Sequence, residues 1–127
     1  MKYFKKSEWK NNPDKVSDLL KDSLDLVREY AGVPIHIHVA YDDSGHSNNS
    51  YHYKGKAVDF HFGGLTPLEQ FACIKMIADL RGIGYYSWWN NPGWHVDLRP
   101  DNLFWLSSKK GKYIYGNKKF INTIIKG

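Results

Sequence analysis

One stretch of the sequence decides the fold: Ser50-Tyr51-His52-Tyr53-Lys54-Gly55-Lys56-Ala57-Val58-Asp59. The stretch begins at the end of a polar loop and finishes in an apolar run, and Gly55 allows the chain to turn between the two. A bend at this glycine returns the side chains of His52 and Asp59 toward one point. The stretch therefore predicts a loop that leads into a β-strand and contains two candidate metal ligands.

The sequence before this stretch predicts one helix and one strand. Residues 12–32 begin with a capping residue, have Pro13 at the first helical position and place apolar residues at helical spacing, which indicates an amphipathic helix ending at Gly32. Residues 35–41 alternate apolar and polar side chains, as expected of a strand. Residues 42–50 have no apolar period and predict an exposed loop.

The sequence after the stretch predicts a second helix and a hairpin. Thr66-Pro67-Leu68-Glu69 forms a capping box with proline inside it, so we expect a helix that begins there and ends at Gly82. Two strand-like runs follow, residues 83–88 and 94–98, and Asn90-Asn91-Pro92-Gly93 indicates a turn between them. The C-terminal tail, which contains Phe104, Tyr113 and Phe120, shows no clear helical or strand periodicity. Two helices among closely spaced strands predict an α+β fold, a small antiparallel sheet flanked by helices.

Length and composition predict a single domain over residues 1–127, because 42% hydrophobic content suffices for one core. The chain has no run of about 18 apolar residues, so we expect no membrane insertion. The basic N-terminus continues into polar residues, which predicts no secretion signal. Cys73 is the only cysteine, which excludes a disulfide within the chain and a four-cysteine zinc site. Any metal must then be held by histidine and carboxylate.

The net charge of +5 and the pI near 9.2 favour a polyanionic partner, which includes nucleic acid, anionic cell-wall polymer and membrane surfaces. The lysines are spread between the two ends of the chain and form no single dense stripe of the kind that nucleic-acid readers show. We therefore expect a solvated surface, no nucleic-acid partner and a monomer.

A second segment, Trp94-His95-Val96-Asp97, adds a further histidine. A catalytic zinc ion takes three protein ligands and keeps one position open, and two imidazoles with one carboxylate supply that set. We expect the strand of His95 to pair beside Asp59, which would bring His95 to the same ion as His52.

The pattern S-x-H-x-x-G-x-A-x-D followed by W-H-x-D resembles the zinc D-Ala-D-Ala carboxypeptidases, over roughly residues 33–100. That family includes phage endolysins and the dipeptidases of vancomycin resistance, and it shares its fold with the hedgehog signalling domain. The resemblance implies a hedgehog/DD-peptidase-like fold and a Zn²⁺ ion bound by His52, Asp59 and His95. It also implies a zinc metallopeptidase that hydrolyses peptidoglycan stem peptides, as a carboxypeptidase or as an endolysin-type endopeptidase. For localisation, both phage-type release to the cell wall and accumulation in the cytoplasm fit.

The sequence departs from this family at two positions. The usual general base, an Asp or Glu three residues before the last histidine, is replaced by Pro92. Asp97 is the candidate for the catalytic base because it shares a strand face with His95, and pairing with Arg99 in a supporting role is its alternative. The usual carboxylate-binding arginine is replaced by Asp42, and Arg99 is the candidate for that contact.

Two further residues complete the predicted substrate contacts. Ser50 belongs to the first motif and also orients the loop at His52, and Trp94 either stacks on substrate or belongs to the core. We expect the remaining histidines to be exposed or hydrogen-bonded without a role in function; they are His36, His38, His46 and His61. A zinc-binding module of the same fold that has lost catalysis is the alternative function.

Overall fold

The computed structural model describes residues 2–127. The three α-helices in these residues are α1 (Asp18–Ala31), α2 (Pro67–Lys75) and α3 (Asn117–Lys126). The six strands are β1 (Ile35–Val39), β2 (Ala57–Phe62), β3 (Gly82–Tyr86), β4 (Gly93–Asp97), β5 (Leu103–Lys109) and β6 (Lys112–Tyr115). Short 3₁₀ turns cover Lys6–Trp9, Pro13–Lys15 and Tyr51–Lys54. Within residues 2–127, no helix has the length and apolar content needed to cross a membrane.

The strands form one sheet in the order β1-β2-β4-β3-β5-β6. All neighbours are antiparallel except β3 and β5, which run parallel. β4 ends at Asp97, opposite Gly82 at the start of β3, and the chain then passes the end of β3 and begins β5 at Leu103 on its far side. The prediction of a small antiparallel sheet is therefore wrong: the sheet is mixed, because the connection after β4 skips the neighbouring strand.

The two faces of the sheet have different environments. One face packs against the three helices and forms a continuous hydrophobic core, which includes Phe60, Ile83, Trp94 and Val96 from strands and Leu20, Leu24, Ile74 and Phe120 from helices. Because successive strand residues point to opposite faces, Asp59, His95 and Asp97 lie on the other side of the sheet. The α+β fold is confirmed, with its helices on one face and the candidate site on the other.

Helix α1 begins later than the sequence predicts. Pro13 starts a 3₁₀ turn instead, and Val16 is extended. Ser17 then caps the true helix, because its Oγ accepts a hydrogen bond from the backbone N–H of Leu20. The predicted end is confirmed, since Gly32 caps the helix with a left-handed φ of 67°.

Helix α2 begins at the predicted capping box and ends earlier than expected, at Lys75. Thr66 and Glu69 exchange hydrogen bonds of 2.9 and 3.2 Å between side chain and backbone. Ile77 and Leu80 remain buried although they follow the helix, because backbone bonds three residues apart preserve a helix-like apolar spacing through turns. The tail forms a helix, α3, that its sequence pattern did not predict.

Candidate metal centre

Three predicted ligands converge on the open face of the sheet. Asp59 on β2 and His95 on β4 are directly opposite in the antiparallel pairing. His52 reaches them from the 3₁₀ turn that precedes β2. Asp59 Oδ1 lies 3.2 Å from His52 Nε2 and 2.9 Å from His95 Nδ1. One ligand atom from each residue lies within 4.8 Å of the others, so the three side chains could hold one metal ion.

The local sequence explains how the turn before β2 places His52. Ser50 Oγ accepts a 3.2 Å hydrogen bond from the backbone N–H of His52 and so caps the turn. Gly55 ends the turn with a φ of 67°, and any side chain there would collide with the backbone of Lys15. Only glycine therefore lets the chain turn into β2 at this point. The predicted bend at Gly55 is confirmed.

Each histidine of the triad is oriented by a hydrogen bond from one ring nitrogen, and its other ring nitrogen faces the triad. His52 Nδ1 donates a 2.6 Å hydrogen bond to the carbonyl of Ala40, which leaves Nε2 for a metal. His95 Nε2 donates a 2.7 Å hydrogen bond to Asp97 Oδ2, which leaves Nδ1. Such partners fix the tautomer and ring orientation of metal-binding histidines. The donor set of two imidazole nitrogens and one carboxylate oxygen fits zinc and other divalent transition-metal ions.

Asp97 is fully buried behind His95. The guanidinium of Arg99 binds its carboxylate with two bonds, Nε to Oδ1 at 2.8 Å and Nη2 to Oδ2 at 2.7 Å. Arg99 itself lies between the rings of Tyr51 and Trp105, whose centroids are 5.4 and 4.9 Å from its guanidinium carbon. Both oxygens of Asp97 are thus engaged by side chains of the protein, a geometry that favours the supporting role over the role of base.

The charges in the centre stabilise one another. Burial alone would raise the pKa of Asp59, but hydrogen bonds from His52 and His95 outweigh it and hold that pKa well below its usual range. Burial would likewise raise the pKa of Asp97, and the bonds from Arg99 and His95 depress it. For His95, burial opposes the charged form, yet the two carboxylates raise its pKa to about 9. In the metal-free protein His95 is therefore a cation between two carboxylates.

Two glycines on β3 leave room for this arrangement. Gly82 pairs with Asp97 across the sheet, and a side chain at Gly82 would overlap the carboxylate of Asp97 and the guanidinium of Arg99. Gly84 pairs with His95 in the same way, and a side chain there would overlap the indole of Trp105. Both positions require glycine because of close approach by neighbouring side chains.

The triad lies in a cleft of about 750 Å³. The loop of residues 45–51 forms one wall, and aromatic side chains form most of the rest: Tyr86, Trp88, Trp89, Trp105, Tyr113 and Tyr115. Arg99 also lines the cleft, and its Nη1 makes no hydrogen bond within residues 2–127. The cleft is large enough for a peptide segment, with the triad accessible from it.

His46 is a cleft residue to which the sequence analysis gave no function. Its ring stacks on the ring of His52 at a centroid distance of 4.3 Å, and its Nε2 donates a 3.1 Å hydrogen bond to Asp42 Oδ2. The hydroxyl of Tyr53 accepts from the backbone N–H of His46 and donates to its carbonyl, at 2.8 and 2.7 Å. The only sequence signal for this pair was the four-residue spacing of an acid and a histidine within one loop.

The remaining sequence-predicted residues fall into two groups. Ser50 lines the cleft and caps the turn of His52. Trp94 is fully buried on the opposite face of the sheet, where its indole N–H donates to Gln70 Oε1, so the structure does not bring it to the cleft. The histidines of β1 and β2 associate with each other: His38 Nε2 lies 2.6 Å from His61 Nδ1, and His36 stacks on His61.

Comparison of the chain with family profiles, curated proteins and solved structures finds no match. The likeness to zinc D-Ala-D-Ala carboxypeptidases is therefore one of motif, and what the structure adds is the convergence of His52, Asp59 and His95 at a site that can hold a metal ion.

Proposed function

We propose that this protein is a zinc-dependent peptidase that hydrolyses peptidoglycan stem peptides, as a carboxypeptidase or as an endopeptidase of the endolysin type. The observation that supports it is the convergence of His52, Asp59 and His95 within 4.8 Å at an open cleft. The motif resemblance supplies the substrate class. When bound, zinc polarises the scissile carbonyl and makes water a stronger nucleophile near neutral pH.

The chain supplies a candidate proton acceptor in His46. Asp42 accepts a hydrogen bond from the N–H at Nε2, so the tautomer of His46 leaves Nδ1 as a lone-pair acceptor, and Nδ1 makes no hydrogen bond within residues 2–127. The stacking on His52 places this ring beside the triad on the wall of the cleft. In the proposed reaction, Nδ1 takes the proton of the attacking water and later returns it to the leaving amine.

Asp97 and Arg99 act together in this proposal. Asp97 holds His95 in one tautomer, and Arg99 neutralises the buried carboxylate. The N–H groups of Arg99 that do not bind Asp97 remain as donors for a substrate carboxylate, which is the contact that the sequence predicts for this residue. The two bonds to Asp97 use Nε–H and one N–H of Nη2, so both N–H groups of Nη1 and the second N–H of Nη2 remain for a substrate carboxylate.

One observation favours the alternative, a zinc-binding module without catalysis. Asp59 and Asp97 are the carboxylates that line the cleft; Asp59 belongs to the triad, and both oxygens of Asp97 are engaged by His95 and Arg99, so neither carboxylate is left to act as the base. In this alternative the cleft binds a peptide without cutting it, and His46 serves only to pack against His52.

Turnover separates the two functions. Zinc-loaded protein is incubated with a synthetic stem peptide that ends in D-Ala-D-Ala and with purified peptidoglycan, and the products are identified by mass spectrometry. The proposed function predicts released D-Ala or internal peptide fragments, and His52→Ala, Asp59→Ala and His95→Ala each lose both zinc and activity. Stoichiometric zinc without products from either substrate would favour the binding module.

His46→Gln tests the proton acceptor separately. We expect the zinc content to stay at the wild-type value and kcat to fall roughly 100- to 10,000-fold, the range typical of a lost general base. Asn49→Gln is the matched control, because Asn49 lines the same wall of the cleft but has no proton-accepting nitrogen. A normal kcat in His46→Gln would remove His46 from the mechanism.

A further inference from the structure

The net positive charge of the chain comes from its last 26 residues. Residues 102–127 contain six lysines and no acidic residue, whereas residues 1–101 contain twelve basic and thirteen acidic residues. Lysines occur at both ends of the chain, but acidic residues balance them only before residue 102. The entire net charge of +5 therefore comes from the C-terminal segment.

The fold places this segment along one margin of the molecule. β6 is the edge strand of the sheet, and all four of its residues are exposed. The lysines occupy the β5–β6 hairpin and helix α3, which follows it directly. We call this surface the basic edge; it comprises Lys109, Lys110, Lys112, Lys118, Lys119 and Lys126. None of the six forms an ion pair with an acidic residue within the described part of the chain.

Four of these lysines lie at positions where their charge is unfavourable to the fold. Lys118 and Lys119 lie in the first turn of α3, where the helix dipole disfavours positive charge, and no acidic residue of that turn offsets them. Lys109 and Lys112 are directly paired across the β5–β6 hairpin, where like charges repel. A binding partner of opposite charge would remove both unfavourable interactions.

The basic edge is continuous with the cleft. Tyr113 and Tyr115 of β6 line the cleft and are 51% and 58% exposed, and Lys112 directly precedes them at the exposed edge, with its side chain on the opposite face of the strand. An extended polymer that lies along β6 would therefore contact the lysines while part of it, or a chain attached to it, reaches the triad.

We propose that the basic edge binds a phosphodiester-linked glycopolymer of the cell wall and so keeps the cleft next to its substrate. This inference rests on the proposed function, because that function places the protein on the wall. A phosphodiester polymer supplies regularly repeated negative charge for the lysine ammonium groups, and the exposed tyrosine rings offer flat surfaces for its sugars or polyols.

Two other polyanions fit the surface less well. On a membrane, a basic helix inserts its apolar face into the lipid, but Phe120 and Ile124 of α3 are fully buried in the core, which leaves Ile125 as the exposed large hydrophobic residue of this helix. Arginine is the side chain best suited to a bidentate contact with a base edge, and residues 102–127 contain no arginine, so these lysines would serve mainly as phosphate contacts.

The test measures binding of soluble poly(glycerol phosphate) to the full-length protein by calorimetry at several salt concentrations. The variant Lys109→Gln/Lys110→Gln/Lys112→Gln removes three charges of the basic edge, and Lys5→Gln/Lys10→Gln/Lys56→Gln removes three exposed lysines elsewhere as a matched control. We expect wild-type affinity to fall steeply with salt, and the edge variant to bind at least tenfold more weakly, with a salt slope smaller by roughly two to three. The control should bind as the wild type does.

The competing ligands and the activity measurement make the outcome specific. Equal binding by the edge variant and the control would overturn the proposal, as would tighter binding of single-stranded DNA or of anionic lipid vesicles with equal charge. The edge variant should still cleave a short soluble stem peptide at the wild-type rate. If the wild type cleaves that peptide but does not bind the polymer, only the basic-edge proposal fails. If it binds the polymer but cleaves no peptide, the proposed function fails.

Discussion

Replacement of Asp97 by asparagine separates the two roles that the sequence left open for this residue. The substitution keeps the size of the side chain but removes the charge that accepts the 2.7 Å hydrogen bond from His95 Nε2. Partners of this kind contribute roughly 10- to 100-fold to metal affinity, or about 1.4 to 2.7 kcal/mol. We therefore expect the zinc dissociation constant of Asp97→Asn to rise by that factor. If Asp97 were the base, zinc affinity would be unchanged.

Competition with a chromophoric zinc chelator at neutral pH measures this difference. Asp101→Asn is the matched control, because Asp101 is exposed and lies outside the cleft. Thermal unfolding of both variants confirms that they are folded, which matters because Arg99 loses its charged partner. At saturating zinc, Asp97→Asn should recover most of its peptidase activity. Unchanged zinc affinity with no turnover at saturating zinc would refute the supporting role and restore Asp97 as the base.

Three further predictions concern pH, close packing and the core. The pKa of His95 is about 9 in the metal-free folded protein against an ordinary 6.5, so its contribution to stability is complete below pH 6.5 and is lost as the pH rises through 9. The free energy of unfolding of the metal-free protein, measured by urea titration, should therefore fall by roughly 3 kcal/mol between pH 6.5 and pH 9. A free energy of unfolding that does not change over this range would contradict a charged His95 between the two carboxylates. Gly82→Ala forces a methyl group against Asp97 and should lower the free energy of unfolding by about 1–3 kcal/mol, measured by denaturant titration; an unchanged value would show that Arg99 can move aside. Trp94→Phe removes the hydrogen bond to Gln70 and should cost about 1–3 kcal/mol of stability with kcat/KM for the stem peptide unchanged, whereas a large loss of kcat/KM would give Trp94 a substrate role.

Parts of the metal centre could be predicted from short-range rules, whereas the approach of His95 to Asp59 depends on the pairing of β2 with β4 and is expected from the motif resemblance. The alternation of β4 puts His95 and Asp97 on one face, and Gly55 sets the turn that returns His52 to Asp59. The capping box at Thr66 is similarly local. Such features need no knowledge of the rest of the fold.

The features that the sequence did not predict depend on tertiary contacts. The parallel pairing of β5 with β3 follows from the route of the chain after Asp97, which no local pattern records. Helix α2 ends at Lys75 although the apolar spacing continues to Leu80, because turns can bury the same residues. His46 gains its place beside His52 only through the folded loop and the hydroxyl of Tyr53.

The position of β6 at the margin of the sheet also bears on how copies of the protein meet. Within residues 2–127 its outer backbone groups have no neighbouring strand, and an exposed edge of this kind is a site at which another chain can extend the sheet. Lysines beside such an edge discourage that addition, because two copies would bring their charges together. A polyanion that neutralises Lys109 and Lys112 would also cancel this protection. We propose that the basic edge holds the protein on its polymer. The same surface would then limit how densely copies can bind to that polymer before they self-associate.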